Sequence, residues 1–370
     1  MPRLAYPDYN DSILNVTGSI LKHYGVPTKI SSIPLLDAEL KKSPRNIVLW
    51  LVDGMGTSTL NRLEGIGRKI LADKKKDITS VFPPTTTAAT TSVISGLPPV
   101  STGWIGWSQY FCEEKKTVIL YTDTNFYDEN DVLDHPVAGS AIPVESIYSL
   151  LNKADSTVQT AEVFPAFRVP ENDTPEKLVS AVLKNLESPG RHFVYAYWDK
   201  LDTVEHEFGP SSPEALSMMD LVAKAYEYLC SRVPDGTLVI VIADHGQTDV
   251  LPIPLRDFPD LWETFEHEPS VDSRASAFFI LPDRKADFEA RFREHFRDKY
   301  LLVPTDEWIR TGIFGPGEAH PRFRGFLGDY IAVAIDRYYF LTVPGVPPMK
   351  GHHAGLLEEE MIVPLILYRK

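Results

Sequence analysis

The chain has 370 residues, of which 43% are hydrophobic and 24% are charged, and this composition excludes a disordered, collagen-like or coiled-coil protein. Its formal net charge of -14 repels nucleic acid and anionic membranes, so we expect neither as a partner. Only Cys112 and Cys230 are present, too few for a disulfide framework, and the first residues lack the apolar run of a signal peptide. We therefore predict a reduced, cytoplasmic protein.

Short, continuous apolar segments recur along the chain, and they are typical of strands buried on both faces of a parallel sheet. Helical patterns lie between several of them, and this alternation predicts a doubly wound α/β fold. A capping side chain precedes proline at Thr174–Pro175 and Ser212–Pro213, which are typical helix starts. The predicted elements are, in chain order, strand 46–53, helix 144–153, strand 158–163, helix 175–186, strand 192–198, helix 213–232, strand 237–244, strand 275–281, helix 285–299, strand 330–335 and strand 361–368.

The alternation is interrupted between about residues 251 and 343, where Pro, Arg and aromatic residues are frequent. We predict that this region is a cap inserted over the edge of the sheet, within a single α/β domain that spans residues 1–370. A second irregular stretch, residues 102–137, is expected to join it. The longest apolar runs are far shorter than the ~20 residues of a transmembrane helix.

Side chains that can bind metal ions follow successive predicted strands. Ligands in open α/β sheets bind outside the carboxyl ends of the strands, so these side chains converge on one rim if the strands are parallel. Carboxylates and imidazoles in such numbers suit two divalent cations. They are Asp53 after the first strand, Asp202 and His206 after the third, Asp244 and His245 after the fourth, and the pair His352–His353 ahead of the last.

Each of these features also has a purely structural interpretation. Asp53 in Val-Asp-Gly is a common turn residue, and Asp202 and His206, four residues apart, can form a local pair on one helical face. The threonines from Thr85 to Thr91 are compatible with a helix cap and a polar loop. The joint order favours function, because unrelated turn residues are not expected to follow successive buried strands in this way.

Five motifs together resemble the alkaline phosphatase superfamily, and within it the nucleotide pyrophosphatase/phosphodiesterase type: LWLVDGMG, FPPTTTAATTSVISGLPP, DTVEHEFGP, IADHGQ and HHAGLLEEEM. The resemblance implies an alkaline-phosphatase-like, three-layer α/β core with a mostly parallel central sheet. It also implies two metal sites and a threonine nucleophile that contacts the second site. The residues are Asp202, His206 and His353 for the first metal, Asp53, Asp244 and His245 for the second, and Thr86 as the nucleophile.

The chemistry explains why such residues are needed. A threonine hydroxyl is almost wholly protonated near neutral pH, so it attacks phosphorus only when a cation stabilises its alkoxide. The second cation then stabilises the leaving oxygen, and water hydrolyses a phospho-threonine intermediate. The ligand types favour zinc, with manganese as the alternative. We expect a small phosphate-ester substrate, with cleavage of a phosphodiester or nucleotide pyrophosphate bond.

The sequence departs from the family pattern in groups that contact phosphate. The stretch GWIGWSQYF lacks the Asn that diesterases of the family typically carry, and no Arg lies between Thr86 and the next strand-like segment, where the monoesterases typically use an arginine or another cation. Lys200 and Lys350 are candidate substitutes, although a solvated surface lysine is the favoured interpretation of both. Core packing is favoured over stacking on a flat leaving group for the aromatic residues Trp104, Trp107, Tyr110 and Phe111. The sequence does not select a substrate contact among the arginines Arg274, Arg322 and Arg324.

Three alternative functions stay open from the sequence: a phosphomonoesterase, a metal-dependent phosphosugar mutase, and a non-catalytic metal-binding protein. A diesterase is favoured because two cations neutralised by three Asp residues and the Thr86 alkoxide leave little charge for a dianionic monoester. A purely structural metal site would need no open position or nucleophile. The physiological substrate, the native metal and the oligomeric state do not follow from the sequence.

Overall fold

The computed structural model describes residues 2–66 and 68–370. The strands, numbered in chain order, are β1 (Asn46–Val52), β2 (Lys74–Thr79), β3 (Ser108–Phe111), β4 (Lys116–Ile119), β5 (Thr124–Asn125), β6 (Val158–Val163), β7 (Arg191–Trp198), β8 (Thr237–Ile242), β9 (Thr248–Asp249), β10 (Leu251–Pro254), β11 (Phe265–Val271), β12 (Ala275–Ile280), β13 (Tyr300–Pro304), β14 (Tyr330–Ala334), β15 (Tyr338–Leu341), β16 (Gly351–His352) and β17 (Ile362–Arg369).

The helices are α1 (Ile13–His23), α2 (Pro34–Leu40), α3 (Thr57–Asn61), α4 (Lys69–Asp73), α5 (Thr86–Ser95), α6 (Pro99–Thr102), α7 (Val137–Ala141), α8 (Ile147–Ala154), α9 (Pro175–Asn185), α10 (Lys200–Phe208), α11 (Pro213–Arg232), α12 (Pro259–Trp262), α13 (Lys285–Phe296), α14 (Thr305–Thr311) and α15 (Glu358–Met361). Short 3-10 helices lie at Leu255–Asp257 and Phe323–Leu327. No helix in these described ranges is long and apolar enough to cross a bilayer.

The central sheet has six strands in the order β2-β17-β8-β1-β7-β6. Strand β1 lies between β7 and β8 and is parallel to both, and every residue of β1 is buried. The predicted α/β fold with a mostly parallel central sheet is confirmed in this core. The last predicted strand is present, but its parallel orientation was wrong because β17 runs antiparallel to β8 and β2.

A second sheet of seven strands, in the order β13-β14-β12-β11-β3-β4-β5, is antiparallel throughout. The segments predicted as parallel core strands near residues 275 and 330 belong to this sheet instead. The prediction was wrong because a buried apolar run reveals burial but not the partner strand or its direction. All seven strands come from the two irregular stretches of sequence, residues 102–137 and 251–343.

The predicted helix starts are confirmed at two sites. Thr174 Oγ1 accepts a hydrogen bond from Lys177 N at 3.2 Å, and Ser212 Oγ accepts one from Ala215 N at 3.0 Å. Both caps satisfy backbone N–H groups that the first helical turn leaves free. Helix α8 begins at Ile147 rather than at residue 144, because Ser146 is its capping residue.

The two sheets are connected by a buried ion pair. Arg274, in the turn before β12, donates from Nε to Glu360 Oε1 at 2.6 Å and from Nη2 to Oε2 at 2.7 Å. Glu360 also accepts hydrogen bonds from the backbone of Gly355 and Leu357. These contacts attach the second sheet to the loop that follows His353, so one wall of the site is fixed relative to the other.

Candidate active site

The parallel strands β1, β7 and β8 end at a common rim, and the predicted ligands are gathered there. Asp53 directly follows β1, while Asp244 and His245 follow β8. Asp202 and His206 are one turn apart on α10, which begins two residues after β7. Gly54 has φ of +76°, and a Cβ there would be 3.0 Å from Cα of Asp202. A glycine is therefore required for this close approach.

The predicted ligands form two triads, Asp202–His206–His353 and Asp53–Asp244–His245, in each of which the ligand atoms lie within 4.8 Å of one another. In the first triad, His206 Nε2 is 3.3 Å from Asp202 Oδ2. In the second, His245 Nε2 is 3.4 Å from Asp53 Oδ1 and 3.7 Å from Asp244 Oδ2. The triads adjoin, because the rings of His245 and His353 stack with centroids 3.8 Å apart.

The backbone orients all three histidines in the same way. Their Nδ1 atoms lie 2.9 to 3.2 Å from carbonyl oxygens: His206 from Gly351, His353 from Pro84 and His245 from Gly246. With Nδ1–H donating to a carbonyl, each Nε2 keeps its lone pair for a cation. This second hydrogen bond is the usual support of a metal-binding imidazole.

The second triad is an uncompensated cluster of negative charge. Burial, together with the charges of Asp244 and Asp202, raises the pKa of Asp53 well above its ordinary value, and burial also raises the pKa of Asp244. Among the described residues, Asp53 Oδ1 and Asp244 Oδ2 have no hydrogen-bond partner although both atoms are buried. Such carboxylate oxygens are costly unless a cation or a proton neutralises them, so the residues fit a divalent metal ion.

Two members of the first triad, Asp202 and His353, are in the protonation state that metal binding requires. Burial opposes protonation of His206, but Asp202 outweighs it and raises the pKa of His206, so a metal ion must displace a proton there. Burial opposes ionisation of Asp202, but the neighbouring His206 outweighs it and lowers the pKa of Asp202 to about 2. Burial, reinforced by His245 and His206, lowers the pKa of His353 well below its ordinary value. An ionised carboxylate and a neutral imidazole are both ready ligands. His352 is not part of either triad, and its Nδ1 accepts a hydrogen bond from His353 N at 2.9 Å.

Thr86 is the first residue of α5, and its Oγ1 lies 3.2 Å from His245 Nε2. The neighbouring hydroxyls have other surroundings. Thr85 Oγ1 donates to Asp272 Oδ2 at 2.9 Å, and Thr87 Oγ1 is buried with no hydrogen-bond partner among the described residues. Helix α5 ends at Ser95, and its C-cap residue Gly96 has a left-handed φ of +70°. Only Thr86 of the three thus lies beside a triad.

A cavity of about 700 Å³ adjoins the site and is lined by Thr86, Asp202, His206 and His353. The second sheet and the loops around it supply most of its other walls. Of the four aromatic residues predicted to pack in the core, Trp107 instead lines the cavity. Phe111 is buried in a separate hydrophobic core, and the partly buried Trp104 packs against that core. Tyr110 stacks on His267.

The basic residues considered as phosphate contacts are directed elsewhere. Lys200 Nζ lies 3.6 Å from Asp199 Oδ2, and Lys350 is exposed. Arg322 pairs with Glu113, Arg324 pairs with Asp306, and Arg274 is used by Glu360. None of them lines the described cavity.

The sequence alone missed several polar residues that support the site. Tyr197 donates a hydrogen bond to Asp53 Oδ2, and Gln247 donates to both the side chain and the backbone carbonyl of Asp202. Asp272, just after β11, is also buried beside the cavity, and burial raises its pKa to about 6. Gln247 was visible as the last residue of IADHGQ, whereas Tyr197 and Asp272 carry no local pattern.

The fold and the site define a mixed α/β protein whose central sheet carries two candidate metal-binding clusters at its rim. The profile of the type I phosphodiesterase / nucleotide pyrophosphatase family matches residues 47–355, and the chain belongs to this family. The predicted relationship to nucleotide pyrophosphatases/phosphodiesterases is thereby confirmed. No curated protein sequence matches the chain.

Three solved structures illustrate the similarity. An inactive variant of murine ectonucleotide pyrophosphatase / phosphodiesterase 5 with AMP is 16% identical, with a TM-score of 0.66 over 87% of each chain. The human protein of that name is 15% identical, with a TM-score of 0.66 over 87% of each chain. Phosphonoacetate hydrolase from Sinorhizobium meliloti 1021, with phosphonoformate, is 16% identical, with a TM-score of 0.64 over 88% of this chain and 90% of that one. At such identities the similarity establishes the fold.

Proposed function

We propose that this protein is a two-metal hydrolase that cleaves phosphodiester or nucleotide pyrophosphate bonds through a phospho-Thr86 intermediate. The observation that carries the proposal is the position of Thr86 Oγ1, 3.2 Å from His245 Nε2 and on the wall of a cavity that also reaches the first triad. A nucleophile beside one candidate cation site, on a cavity shared with the other, suits in-line displacement at phosphorus with two cations. Membership in a phosphodiesterase family supports phosphoester hydrolysis independently.

Two divalent ions, zinc by preference and manganese as the alternative, would be held by the triads and would stabilise the Thr86 alkoxide and the leaving oxygen. Neighbouring side chains orient the carboxylates that would bind the ions. The hydrogen bond from Tyr197 orients Asp53, and the amide of Gln247 orients Asp202. The free N–H groups of the first turn of α5 are available to the phosphoryl oxygens.

The proposed reaction has two displacements at phosphorus. Thr86 Oγ1 loses its proton and bonds to phosphorus, while the bond to the first ester oxygen breaks and that oxygen leaves as the alcohol or phenol. Water then attacks the phospho-Thr86, the bond from phosphorus to Oγ1 breaks, and Oγ1 takes up a proton. From a diester the products are one alcohol or phenol and one phosphate monoester. From a nucleotide pyrophosphate the leaving oxygen departs on a phosphate group instead, and the other product is the nucleoside monophosphate.

A diester is preferred because the described cavity lining contains no Lys or Arg. A dianionic monoester therefore finds no positive side chain for its additional charge, whereas a monoanionic diester needs none. The solved neighbours were observed with AMP and with phosphonates, which are small phosphorus-containing ligands. In the murine structure with AMP, a single Thr-to-Ala replacement accompanies inactivity, and this supports an essential threonine in that fold.

We also propose that residues 1–370 form one α/β domain and that residues 251–343 act as its cap. Strands β11 to β14 of this region belong to the sheet behind the cavity, and Ser270 to Ser273, Phe340 and Thr342 line it. The cytoplasmic location stays a prediction, and both cysteines are free thiols.

The experiment that tests the proposed function measures metal content and activity together. The purified chain, saturated with zinc or manganese, should hold two ions by elemental analysis and hydrolyse bis(nitrophenyl) phosphate. One ion or fewer per chain would contradict the two-metal mechanism. Turnover of nitrophenyl phosphate with a higher kcat/KM than the matched diester would favour the phosphomonoesterase instead.

A further inference from the structure

The cavity beside Thr86 has an unusual charge distribution for a protein expected to bind phosphate. Outside the candidate metal ligands, its charged side chains in the described part of the chain are all acidic: Asp128, Glu129 and Asp272. Five aromatic side chains line the same space: Trp107, Phe126, Tyr127, Tyr339 and Phe340. Carboxylates next to aromatic rings form an environment for a cation, because both attract positive charge.

Asp272 has a carboxylate oxygen without a donor. Its side chain is 9% exposed, and Oδ2 accepts the hydrogen bond from Thr85 Oγ1. Oδ1 is buried and has no hydrogen-bond partner among the described residues, although the backbone N–H groups of Ser273 and Arg274 are near enough to offset part of the rise in pKa that burial causes. The nearby Arg274 side chain does not donate to Asp272 Oδ1, because its guanidinium donates to Glu360 and to two backbone carbonyl groups. A buried carboxylate oxygen without a donor is costly unless a ligand supplies one.

The backbone at this position is strained as well. Val271, directly before Asp272, has φ of +78°, which is unfavourable for a β-branched residue. The conformation is fixed from several sides: Val271 pairs with Ser108 and Ser276, and a Cβ on Gly106 would be 2.4 Å from the Val271 carbonyl oxygen. Strained residues that are held in this way concentrate at ligand-binding sites. Strain and an unsatisfied oxygen thus coincide at one point of the cavity wall.

We propose that this cavity binds an ester group that carries a protonated primary amine, with Asp272 Oδ1 accepting a hydrogen bond from the ammonium. The inference rests on the proposed phosphodiesterase function and specifies its substrate class as aminoalkyl phosphodiesters. The single negative charge of such a diester goes to the metal sites, and its positive charge goes to the acidic and aromatic wall. The substrate is therefore neutral overall and matches both ends of the site.

The same wall discriminates against nucleotides with additional phosphates. A second or third phosphate would face Asp272, or Asp128 and Glu129, with no Lys or Arg in the described lining to compensate. Repulsion of the wrong ligand contributes to specificity as much as attraction of the right one. A quaternary ammonium has the same charge as a primary ammonium but no N–H to donate to Oδ1, so it is expected to bind less well.

The test uses the metal-loaded full chain and nitrophenyl phosphodiesters whose second ester group is aminoethyl, propyl, trimethylammonioethyl or carboxyethyl. We expect kcat/KM for the aminoethyl ester to exceed that of the propyl isostere by at least about tenfold, mainly through KM. The trimethylammonioethyl ester should lie between them, and the carboxyethyl ester should be the poorest. Asp272→Asn should reduce the ratio of aminoethyl to propyl to about one, whereas the exposed Asp306→Asn, outside the cavity, should preserve it.

Binding provides a second measurement that is independent of turnover. With the metal-loaded Thr86→Ala protein, calorimetry should show aminoethyl methyl phosphate binding about tenfold more tightly than propyl methyl phosphate. Equal affinities, or a trimethylammonioethyl ester that equals or exceeds the aminoethyl ester, would overturn the inference. If no diester is hydrolysed, the proposed function fails, while the calorimetric ratio still decides whether the ammonium site exists. If Asp272→Asn does not fold, the wild-type series and calorimetry decide.

Discussion

The central sheet and the second sheet contribute different things to one cleft. Five of the six triad residues follow β1, β7 or β8 of the central sheet, and the sixth lies in the loop before β17. The second sheet contributes none of them, but it supplies Asp272 and much of the cavity wall. Under the proposed function, chemistry belongs to the central sheet and substrate selection to the second sheet, so variants in the two layers should affect different kinetic parameters.

The largest effect is expected at the central-sheet side, from Thr86→Ala. The variant should keep both metal ions and substrate binding but lose about three or more orders of magnitude in kcat, because the attacking hydroxyl is gone. Thr86→Ser, which keeps a hydroxyl, is the matched control and should retain appreciable activity. Kinetics with elemental analysis would check this. A fully active Thr86→Ala protein, or a labelled phosphate trapped on Thr85, would contradict the assignment.

The adjacent histidines before β17 provide the next comparison. His353→Ala should lose one metal ion per chain and at least about a hundredfold in kcat, because His353 is a proposed ligand of the first metal. His352→Ala should leave the metal content nearly intact, although His352 also lines the cavity. Elemental analysis of both variants at equal metal concentration measures the difference. Equal losses of metal would show that the two imidazoles share the role.

The charge of the second-sheet wall predicts a preference between substrates. The matched nitrophenyl diester should have a kcat/KM at least about tenfold higher than nitrophenyl phosphate, since no cationic side chain of the described cavity serves a dianion. Adding a cationic side chain to the cavity wall should weaken this preference for the diester. Ser273→Lys, at the cavity wall, should raise relative activity toward the monoester, and an unchanged ratio would show that the wall does not act on the phosphate.

The smallest effects are expected from the threonines on either side of the nucleophile. Thr85→Ala and Thr87→Ala should each stay within roughly tenfold of the wild-type kcat, because adjacent side chains at a helix start diverge by about 100°. Thr85 has its own partner, Asp272 of the second sheet, so Thr85→Val should raise KM more than it lowers kcat. Steady-state kinetics with one diester checks all three variants. A thousandfold loss in either would mean that the nucleophile was misassigned.

Local sequence patterns determined the secondary-structure elements of the central sheet and the residue types at its rim. Strand β1 is apolar from Ile47 to Val52 and buried on both faces, and it is followed at once by Asp53, so burial and ligand chemistry can both be read from neighbouring residues. Helix α11 was predicted with the correct bounds because a capping Ser, a first-turn Pro and apolar periodicity all lie within its own sequence. Family motifs then implied how six ligands divide into two triads, and the described structure gathers them in the same division.

Only the tertiary structure decided the rest, because the groups concerned meet across long sequence separations. Strands β12 and β14 look like core strands in sequence, yet they pair in the antiparallel sheet, since strand direction depends on the partner. Asp272 meets Thr85 across 187 positions, and Arg274 meets Glu360 across 86. No local pattern encodes an unpartnered carboxylate oxygen or the absence of basic side chains from the described cavity, because both are properties of how distant segments pack.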